Sequence, residues 1–178
     1  MDVHKEYILK AQAGDSEAFI HLMQEMELPL YRMAVQMVKQ EADCADAIQE
    51  TMLKAYKSIH SLRKPEFFKT WLFRILINEC NKILKKRSQA IPIEECPYPS
   101  ASSAEYDKIN LHEAVDRLDE NLRVVILLHY FQDFPVHQIA DVLDISAGAV
   151  KTRLHRARKT LLSWLSNNPE GEMNCGTL

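Results

Sequence analysis

Residues 136–158 read VHQIADVLDISAGAVKTRLHRAR and predict a short helix, a tight turn and a second helix. The apolar residues of the first segment fall on one face, with the small Ala140 where the two backbones would cross. Asp144 begins the turn, and Ser146 is a good N-cap for a second helix that runs to about Trp164. A short helix, a turn of three to four residues and a second helix are typical of a helix-turn-helix DNA reader.

The second helix divides into an apolar stripe and a basic surface. The predicted buried stripe consists of Val150, Leu154, Ala157 and Leu161. The side chains expected to meet base edges are Lys151, Thr152, His155 and Arg156. Those better placed for phosphates are Arg153, Arg158 and Lys159. The alternative is a cationic surface helix in a helical bundle, which spacing alone leaves open.

A second basic block lies upstream. Residues 61–88 carry eight basic and two acidic side chains, and residues 151–160 carry five basic and none acidic, although the whole chain has a net charge of −3. Two basic blocks in an otherwise acidic chain suit a protein that touches a polyanion at two places. Two solvated helix faces would give the same charge pattern.

The upstream block predicts a helix from about Glu66 to Arg87. Its expected core stripe is Leu72, Ile75, Leu76, Cys80 and Ile83, and its exposed polar stripe is Arg74, Asn78, Lys82 and Lys85. Aromatic residues crowd its first turns behind a loop that carries Arg63 and Lys64; they are Phe67, Phe68, Trp71 and Phe73. Aromatics beside a basic stripe are typical of single-strand binding, although Phe68 and Phe73 are expected in the core.

Three further helices precede this one. They are predicted over Val3–Gln12, over Glu17 to about Gln40 with a kink or reset at Pro29, and from an Asp43 cap to about Ile59. In the third, the spacing predicts a core stripe of Ala45, Ile48, Met52, Ala55 and Ile59. Another face carries Asp46, Gln49, Glu50 and Lys57, which suits either solvation or a basic partner surface.

The pattern therefore predicts an all-α protein of two small helical domains joined by a linker. Residues 88–105 are rich in proline and serine and read as an extended tether. The boundaries are a first domain over 1–88, a linker over 89–105, a second domain over 106–166 and a disordered tail over 167–178.

Several function classes are excluded or disfavoured. None of the four glycines stands in a phosphate-binding spacing, and no apolar run approaches the roughly 20 residues that a membrane helix needs. The four scattered cysteines indicate reduced thiols and a cytoplasmic protein. The seven histidines show no metal-ligand spacing, and no nucleophile and base are paired. We therefore expect no enzyme activity, no metal and no cofactor.

Three motifs together resemble the extracytoplasmic-function group of the sigma-70 family, the promoter-recognition factors of bacterial RNA polymerase. Asp46-Ala-Ile-Gln49-Glu50 is similar to the D-x-x-Q-E segment that docks on the polymerase clamp helices. The stretch from Phe68 to Asn78 is similar to F-x-x-W-L-x-R-I-x-x-N, which melts and reads the −10 element. Ile139-Ala140 with Gly148–Arg158 is similar to the recognition helix for the −35 element.

The resemblance implies a role for each group of residues. It implies a sigma-2-like bundle that binds polymerase through Asp46, Gln49, Glu50 and Lys57, and −10 DNA through Arg63, Lys64, Trp71, Arg74, Asn78, Lys82 and Lys85. It implies a sigma-4-like domain that binds −35 DNA through His129, Ser146, Lys151, Thr152, Arg153, His155, Arg156 and Arg158, within a helix-turn-helix at about 136–156. The implied partners are the polymerase clamp helices and flap, promoter DNA and an anti-sigma factor, with no membrane insertion by this chain.

The chain departs from the family pattern at three places. Leu118-Asp119 stands where relatives often have L-P, His129 stands where an arginine is often found, and Gly148-Ala149-Val150 replaces G-T-V. The −35 sequence preference of relatives therefore does not carry over. The alternative function is a stand-alone helix-turn-helix regulator, which would bind duplex DNA tightly on its own with a steep salt dependence.

Overall fold

A computed structural model describes residues 3–90 and 111–166, and within these ranges the regular structure is entirely helical. The α-helices are α1 (Val3–Gln12), α2 (Ser16–Val38), α3 (Glu41–Ser58), α4 (Phe68–Ala90), α5 (Leu111–Arg117), α6 (Glu120–Ile126), α7 (Val136–Leu143) and α8 (Ala147–Ser166). Short 3₁₀ turns cover Ile59–Ser61 and Pro65–Phe67, and a π-helical turn covers Leu127–Phe131. The all-α prediction is confirmed. Residues 89–90 of the predicted linker belong to α4, and the rest of the linker and the predicted tail lie outside the described residues.

The first two helices follow the sequence closely. Gly14 ends the turn after α1 with a φ of +99°, and the Asp15 carboxylate caps α2 by accepting a hydrogen bond from the Ala18 amide at 3.1 Å. Of the kink or reset expected at Pro29, the reset is wrong, because α2 continues through the proline to Val38. A continuous buried stripe holds α2 in place on both sides of the proline.

The core register of α3 differs from the prediction. Of the predicted stripe, Ala55 and Ile59 are buried, Ile48 and Met52 are half-buried against the core, and Ala45 is exposed. Cys44, Ala47 and Thr51 are buried although they were not predicted. Alanine is small enough to lie on either the buried or the exposed face of a helix. The spacing of the alanines therefore assigned Ala45, rather than Ala47, to the buried stripe. Thr51 can be buried because its hydroxyl donates to the Ala47 carbonyl at 2.6 Å.

The beginning of α3 also differs from the prediction. Asp43 is not the cap: Gln40 holds that position, and Asp43 lies inside the first turn. There its carboxylate accepts a hydrogen bond from Arg87 at 3.2 Å, and Arg87 also donates to the carbonyl of Val38 at 3.1 Å. One guanidinium on α4 therefore ties together the end of α2 and the start of α3.

Helix α4 packs against both α2 and α3. Phe68 and Phe73 are buried as predicted, together with Leu72, Leu76 and Cys80. Ile75 and Ile83, expected in the core, are only half-buried at its margin. The predicted polar stripe is confirmed, since Arg74, Asn78, Lys82 and Lys85 are all exposed.

The predicted helix-turn-helix is formed by α7 and α8. Asp144 adopts the left-handed conformation, with a φ of 55°, between the two helices. Ser146 caps α8 by accepting a hydrogen bond from the Ala149 amide at 3.1 Å. Upstream, Asp119 caps α6 through the Asn121 amide at 2.9 Å, so the departure from L-P at this position leaves a sound helix start.

The two helical blocks are packed against each other, although the sequence suggests domains on a tether. Phe73 on α4 meets Phe134, which precedes α7, with ring centroids 5.3 Å apart. Lys69 donates to the Gln132 carbonyl at 2.7 Å and lies 4.9 Å from the centre of the Phe134 ring. Thr70 and Gln138 join their side chains at 3.2 Å. We call these six residues the interdomain contact.

Candidate nucleic-acid interface

An open groove of about 690 Å³ runs between α3 and α4. Its walls are Lys54, Lys57, Ser58, Trp71, Ile75, Asn78, Glu79, Asn81, Lys82 and Lys85. Four lysines face one carboxylate around the half-buried indole of Trp71. We call this feature the α3–α4 groove. A cationic groove with an aromatic surface can hold a phosphate backbone while a base stacks on the ring.

The structure brings together only part of the predicted −10 set. Trp71, Asn78, Lys82 and Lys85 line the groove, and so does Lys57, which the family resemblance assigned to polymerase.

Three predicted −10 residues lie outside the groove lining. Arg63 is exposed in the loop before α4, and the ammonium of Lys64 lies 5.7 Å from the centre of the Phe67 ring. The Arg74 guanidinium is 3.9 Å from the Asp144 carboxylate in the helix-turn-helix turn. Both side chains are exposed, so Arg74 faces a carboxylate of the other helical block across a weak, solvent-screened contact.

Sequence analysis missed a buried carboxylate in the floor of the groove. Glu79 is 7% exposed, and its two oxygens lie 2.6 Å from the Lys54 ammonium and 2.9 Å from the Lys82 ammonium. Burial disfavours the charged form, but hydrogen bonds from the two lysines outweigh that cost and hold the pKa of Glu79 below its usual value. The signal in the sequence was that Glu79 and Glu66 are the only acidic residues within 61–88.

The predicted polymerase-docking residues lie on the adjoining face of α3. Asp46, Gln49 and Glu50 line a shallow depression that also reaches Glu79 and Lys82. Leu53, which lies one helical turn after Gln49 and Glu50, keeps 46% of its surface exposed. An apolar side chain left exposed beside a polar stripe suits a protein partner, and this apolar interruption was visible in the sequence.

The basic surface of α8 is arranged as the sequence predicts. Lys151, Thr152, His155 and Arg156 are exposed, and Arg153 is half-buried. The apolar stripe beneath them is buried through Val150, Leu154 and Ala157, with Leu161 half-buried. Four polar side chains on the outer face of a helix that follows a tight turn can enter a major groove.

Four predicted −35 residues have hydrogen-bond partners within the protein. Two of them lie at the start of α8: Ser146 is its cap, and the Thr152 hydroxyl donates to the Gly148 carbonyl at 2.9 Å. Arg158 donates to the Tyr130 hydroxyl at 2.8 Å, and its guanidinium lies 5.7 Å from the centre of that ring. Nδ1 of the half-buried His129 lies 3.1 Å from the Phe134 carbonyl oxygen. His129 and Tyr130 both belong to the π-helical turn, so this turn orients a cation of the recognition helix, a role that sequence reasoning did not find.

The two described cysteines are free thiols of low reactivity. Cys44 and Cys80 are both buried, and burial raises the pKa of Cys80 to about 12 and that of Cys44 above its usual value. Within the described ranges no cluster of three or more potential ligands could hold a metal ion. Across the same ranges, no helix combines the length and the apolar character needed to cross a bilayer.

Two family descriptions match consecutive parts of the chain. The family described as "Sigma-70 region 2" matches residues 22–90, which contain α3, α4 and the α3–α4 groove. The family described as "Sigma-70, region 4" matches residues 108–161, which contain the helix-turn-helix.

Curated relatives extend this likeness over most of the chain. The RNA polymerase sigma factor SigV of Bacillus subtilis is 32% identical over 134 residues, which cover 74% of this chain and 81% of SigV. The ECF RNA polymerase sigma factor SigM of Mycobacterium tuberculosis is 31% identical over 168 residues, which cover 92% of this chain and 83% of SigM.

Solved structures share the fold. The sigma factor RpoE of Bartonella quintana, in complex with the anti-sigma factor NepR, is 26% identical, with a TM-score of 0.64 over 82% of this chain and 97% of RpoE. CnrH, in complex with the cytosolic domain of CnrY, is 23% identical with a TM-score of 0.70 over 94% of this chain and 99% of CnrH, a likeness of fold.

Proposed function

Since the chain belongs to the extracytoplasmic-function sigma factors, which direct RNA polymerase to promoters, we propose that its three polar surfaces divide the work of initiation. In this proposal residues 1–88 bind core polymerase and the −10 element, residues 89–105 link the domains, and residues 106–166 bind the −35 element. The stand-alone regulator is not favoured, because it gives no reason for a region 2 match over residues 22–90.

We assign the −10 strand to the α3–α4 groove, and this groove is the observation that carries the proposal. Trp71 offers a stacking surface, which contributes roughly 1–3 kcal/mol per base in single-strand binding proteins. Lys57, Lys82 and Lys85 line the same groove and supply cations for the phosphate backbone. Arg63, Lys64 and Arg74 lie outside the groove lining, and we propose that they supply further cations for the same strand.

We assign the −35 duplex to the outer face of α8. Lys151, Thr152, His155 and Arg156 are exposed and can face base edges, although the Thr152 hydroxyl also donates to the Gly148 carbonyl. Arg153 and Arg158 suit the flanking phosphates. Ser146 supports the site as the cap of α8, and its hydroxyl is occupied by the Ala149 amide. His129 is held by the Phe134 carbonyl and contributes from the margin of the site.

We assign core polymerase to the exposed face of α3 that carries Asp46, Gln49, Glu50 and Leu53. The proposed partner of this face is the clamp helices of the polymerase, and the flap is a further proposed polymerase contact of the chain. An anti-sigma factor is a further proposed partner, supported by the Bartonella relative, whose structure holds the anti-sigma factor NepR. Such a protein acts in the cytoplasm, where polymerase and promoters are found.

Initiation on a pool of bacterial promoter fragments tests the proposal. Core polymerase free of other sigma factors is supplied with and without this chain, and the transcripts are sequenced. Transcripts that depend on the chain, and that share two upstream elements, are the expected result. Tight duplex binding by the chain alone, with no dependent transcript, would instead favour the stand-alone regulator.

A further inference from the structure

We propose that Glu79 is a positioning residue for promoter-strand binding, whose buried carboxylate fixes the ammonium groups of Lys54 and Lys82 at the floor of the α3–α4 groove. This inference rests on the proposed assignment of the −10 strand to that groove. It adds two residues, Glu79 and Lys54, which none of the three family motifs contains.

The geometry supports a shared anchor between two helices. Lys54 comes from α3 and Lys82 from α4, and both ammonium groups reach the same carboxylate, at 2.6 Å and 2.9 Å. The lysine side chains remain 40% and 60% exposed, while that of Glu79 is 9% exposed. The carboxylate is therefore hidden below the cations, which stay open to the groove.

The Glu79 contact is also the stronger of the two acidic contacts that Lys54 makes. The exposed Glu50 carboxylate lies 3.9 Å from the Lys54 ammonium, against 2.6 Å for Glu79. Since the longer distance exceeds a hydrogen bond, Glu79 determines where Lys54 points.

A carboxylate here is otherwise unfavourable for a polyanion site. Its negative charge opposes strand phosphates, and its burial carries a desolvation cost that only the two lysines offset. A free lysine loses rotamer freedom when it binds a phosphate, whereas a lysine already held in place loses less. Glu79 thus lowers the positive potential of the groove, but it also holds two lysine ammonium groups in position. If the first effect dominates, removal of the Glu79 charge strengthens strand binding; if the second dominates, it weakens strand binding.

The test uses polymerase holoenzyme and a fluorescent single strand that carries the −10 element of a promoter recovered in the initiation assay. Glu79→Gln keeps the size of the side chain and loses the charge. We expect strand binding to weaken roughly tenfold, because the two lysines regain rotamer freedom in the free protein and must lose it when they bind the strand. The slope of log affinity against log salt should become shallower by about 0.7 for each strand phosphate that the lysines no longer neutralise. Stronger binding, or unchanged binding with an unchanged slope, would overturn the inference.

Glu27→Gln is the matched control, because it removes the same charge from an exposed position on α2. It should leave strand binding and its salt slope unchanged. Melting temperature and −35 duplex binding are measured for both variants, so that a general loss of folding is separated from a loss in the groove.

Lysine variants separate failure of this inference from failure of the proposed site. If Lys54→Met with Lys82→Met leaves strand binding unchanged, the groove is not the −10 site and both proposals fall. If the lysine pair matters but Glu79→Gln does not, only the positioning role falls. In the background that lacks both lysines, Glu79→Gln should weaken strand binding no further; an equal loss there would contradict the proposal.

Discussion

Lys69→Met should loosen the packing of the two helical blocks without disturbing either one. The Lys69 ammonium donates to the Gln132 carbonyl at 2.7 Å and lies 4.9 Å from the centre of the Phe134 ring. A hydrogen bond from a charged donor contributes about 1.5–3 kcal/mol, and a cation over an aromatic ring contributes about 1 kcal/mol. Against these, burial disfavours the charged ammonium and lowers the pKa of Lys69, an effect that Asp133 partly offsets.

Methionine keeps most of the volume of the lysine stem, so the loss is mainly polar. The substitution also removes the cost of burying the lysine charge. With that included, we expect the packed arrangement to be destabilised by about 2 kcal/mol relative to the separated one, which lowers the ratio of packed to separated molecules roughly thirtyfold. The aromatic contact between Phe73 and Phe134 remains, so the change should be partial.

Distance measurement between two spin labels tests this expectation. Labels are placed on cysteines introduced at the exposed positions Glu17 on α2 and Lys159 on α8, with Cys96 and Cys175 changed to serine. The two buried thiols stay unlabelled because their raised pKa values suppress the reactive thiolate. A longer and broader distance distribution is expected for Lys69→Met than for Lys5→Met, the control at an exposed position on α1. Identical distributions for both variants would refute the reasoning.

Two other surfaces and one buried ion-pair cluster are open to direct test. Asp46→Ala with Gln49→Ala should reduce core-polymerase binding at least tenfold with an unchanged melting temperature, since both side chains are exposed; wild-type affinity would contradict the docking assignment. Lys151→Ala with Arg156→Ala should abolish −35-dependent initiation in run-off transcription, and unaffected transcripts would mean that another face of α8 reads the duplex. Because the pKa of Glu79 is held low, its ion pairs stabilise the fold above the ordinary carboxyl pKa of about 4.3 and are lost as pH falls through the lower folded value. The free energy of unfolding of wild type, from urea titrations, should thus converge on that of Glu79→Gln in acid; a constant difference down to about pH 2 would count against the ion pairs.

Most of the fold could be predicted from apolar residues that repeat at helical spacing. Large apolar residues such as Leu72 and Leu76 repeat at helical spacing in α4, so its buried and exposed faces could be assigned in advance. The α3 stripe was misplaced because Ala45 and Ala47 are equally acceptable in a core, and only packing distinguishes them. The helix-turn-helix was predictable because Ser146 marks the start of α8 chemically as well as by spacing.

Contacts between single residues far apart in the chain could not be predicted. Lys69 and its Gln132 partner are separated by 63 positions, and neither belongs to a periodic pattern that would pair them. Glu79 was assigned no role because its meaning depends on Lys54, which comes from another helix. The spacing placed Lys57 on the same face of α3 as Asp46. In the folded chain Lys57 instead lines the α3–α4 groove, while Asp46 lines the neighbouring depression.

The interdomain contact has a consequence for how this factor would respond to mutation and selection. While the two blocks are packed, the exposed Asp144 carboxylate lies 3.9 Å from the Arg74 guanidinium and competes weakly with a strand phosphate for it, so the separated molecules present the more available basic surface. When the state that binds best is only partly populated, the measured affinity is lower. Changes at Thr70 or Gln138, which are assigned no DNA contact, should therefore raise promoter occupancy. A genetic screen for hyperactive alleles would be expected to recover substitutions there as well as in the DNA-reading helices.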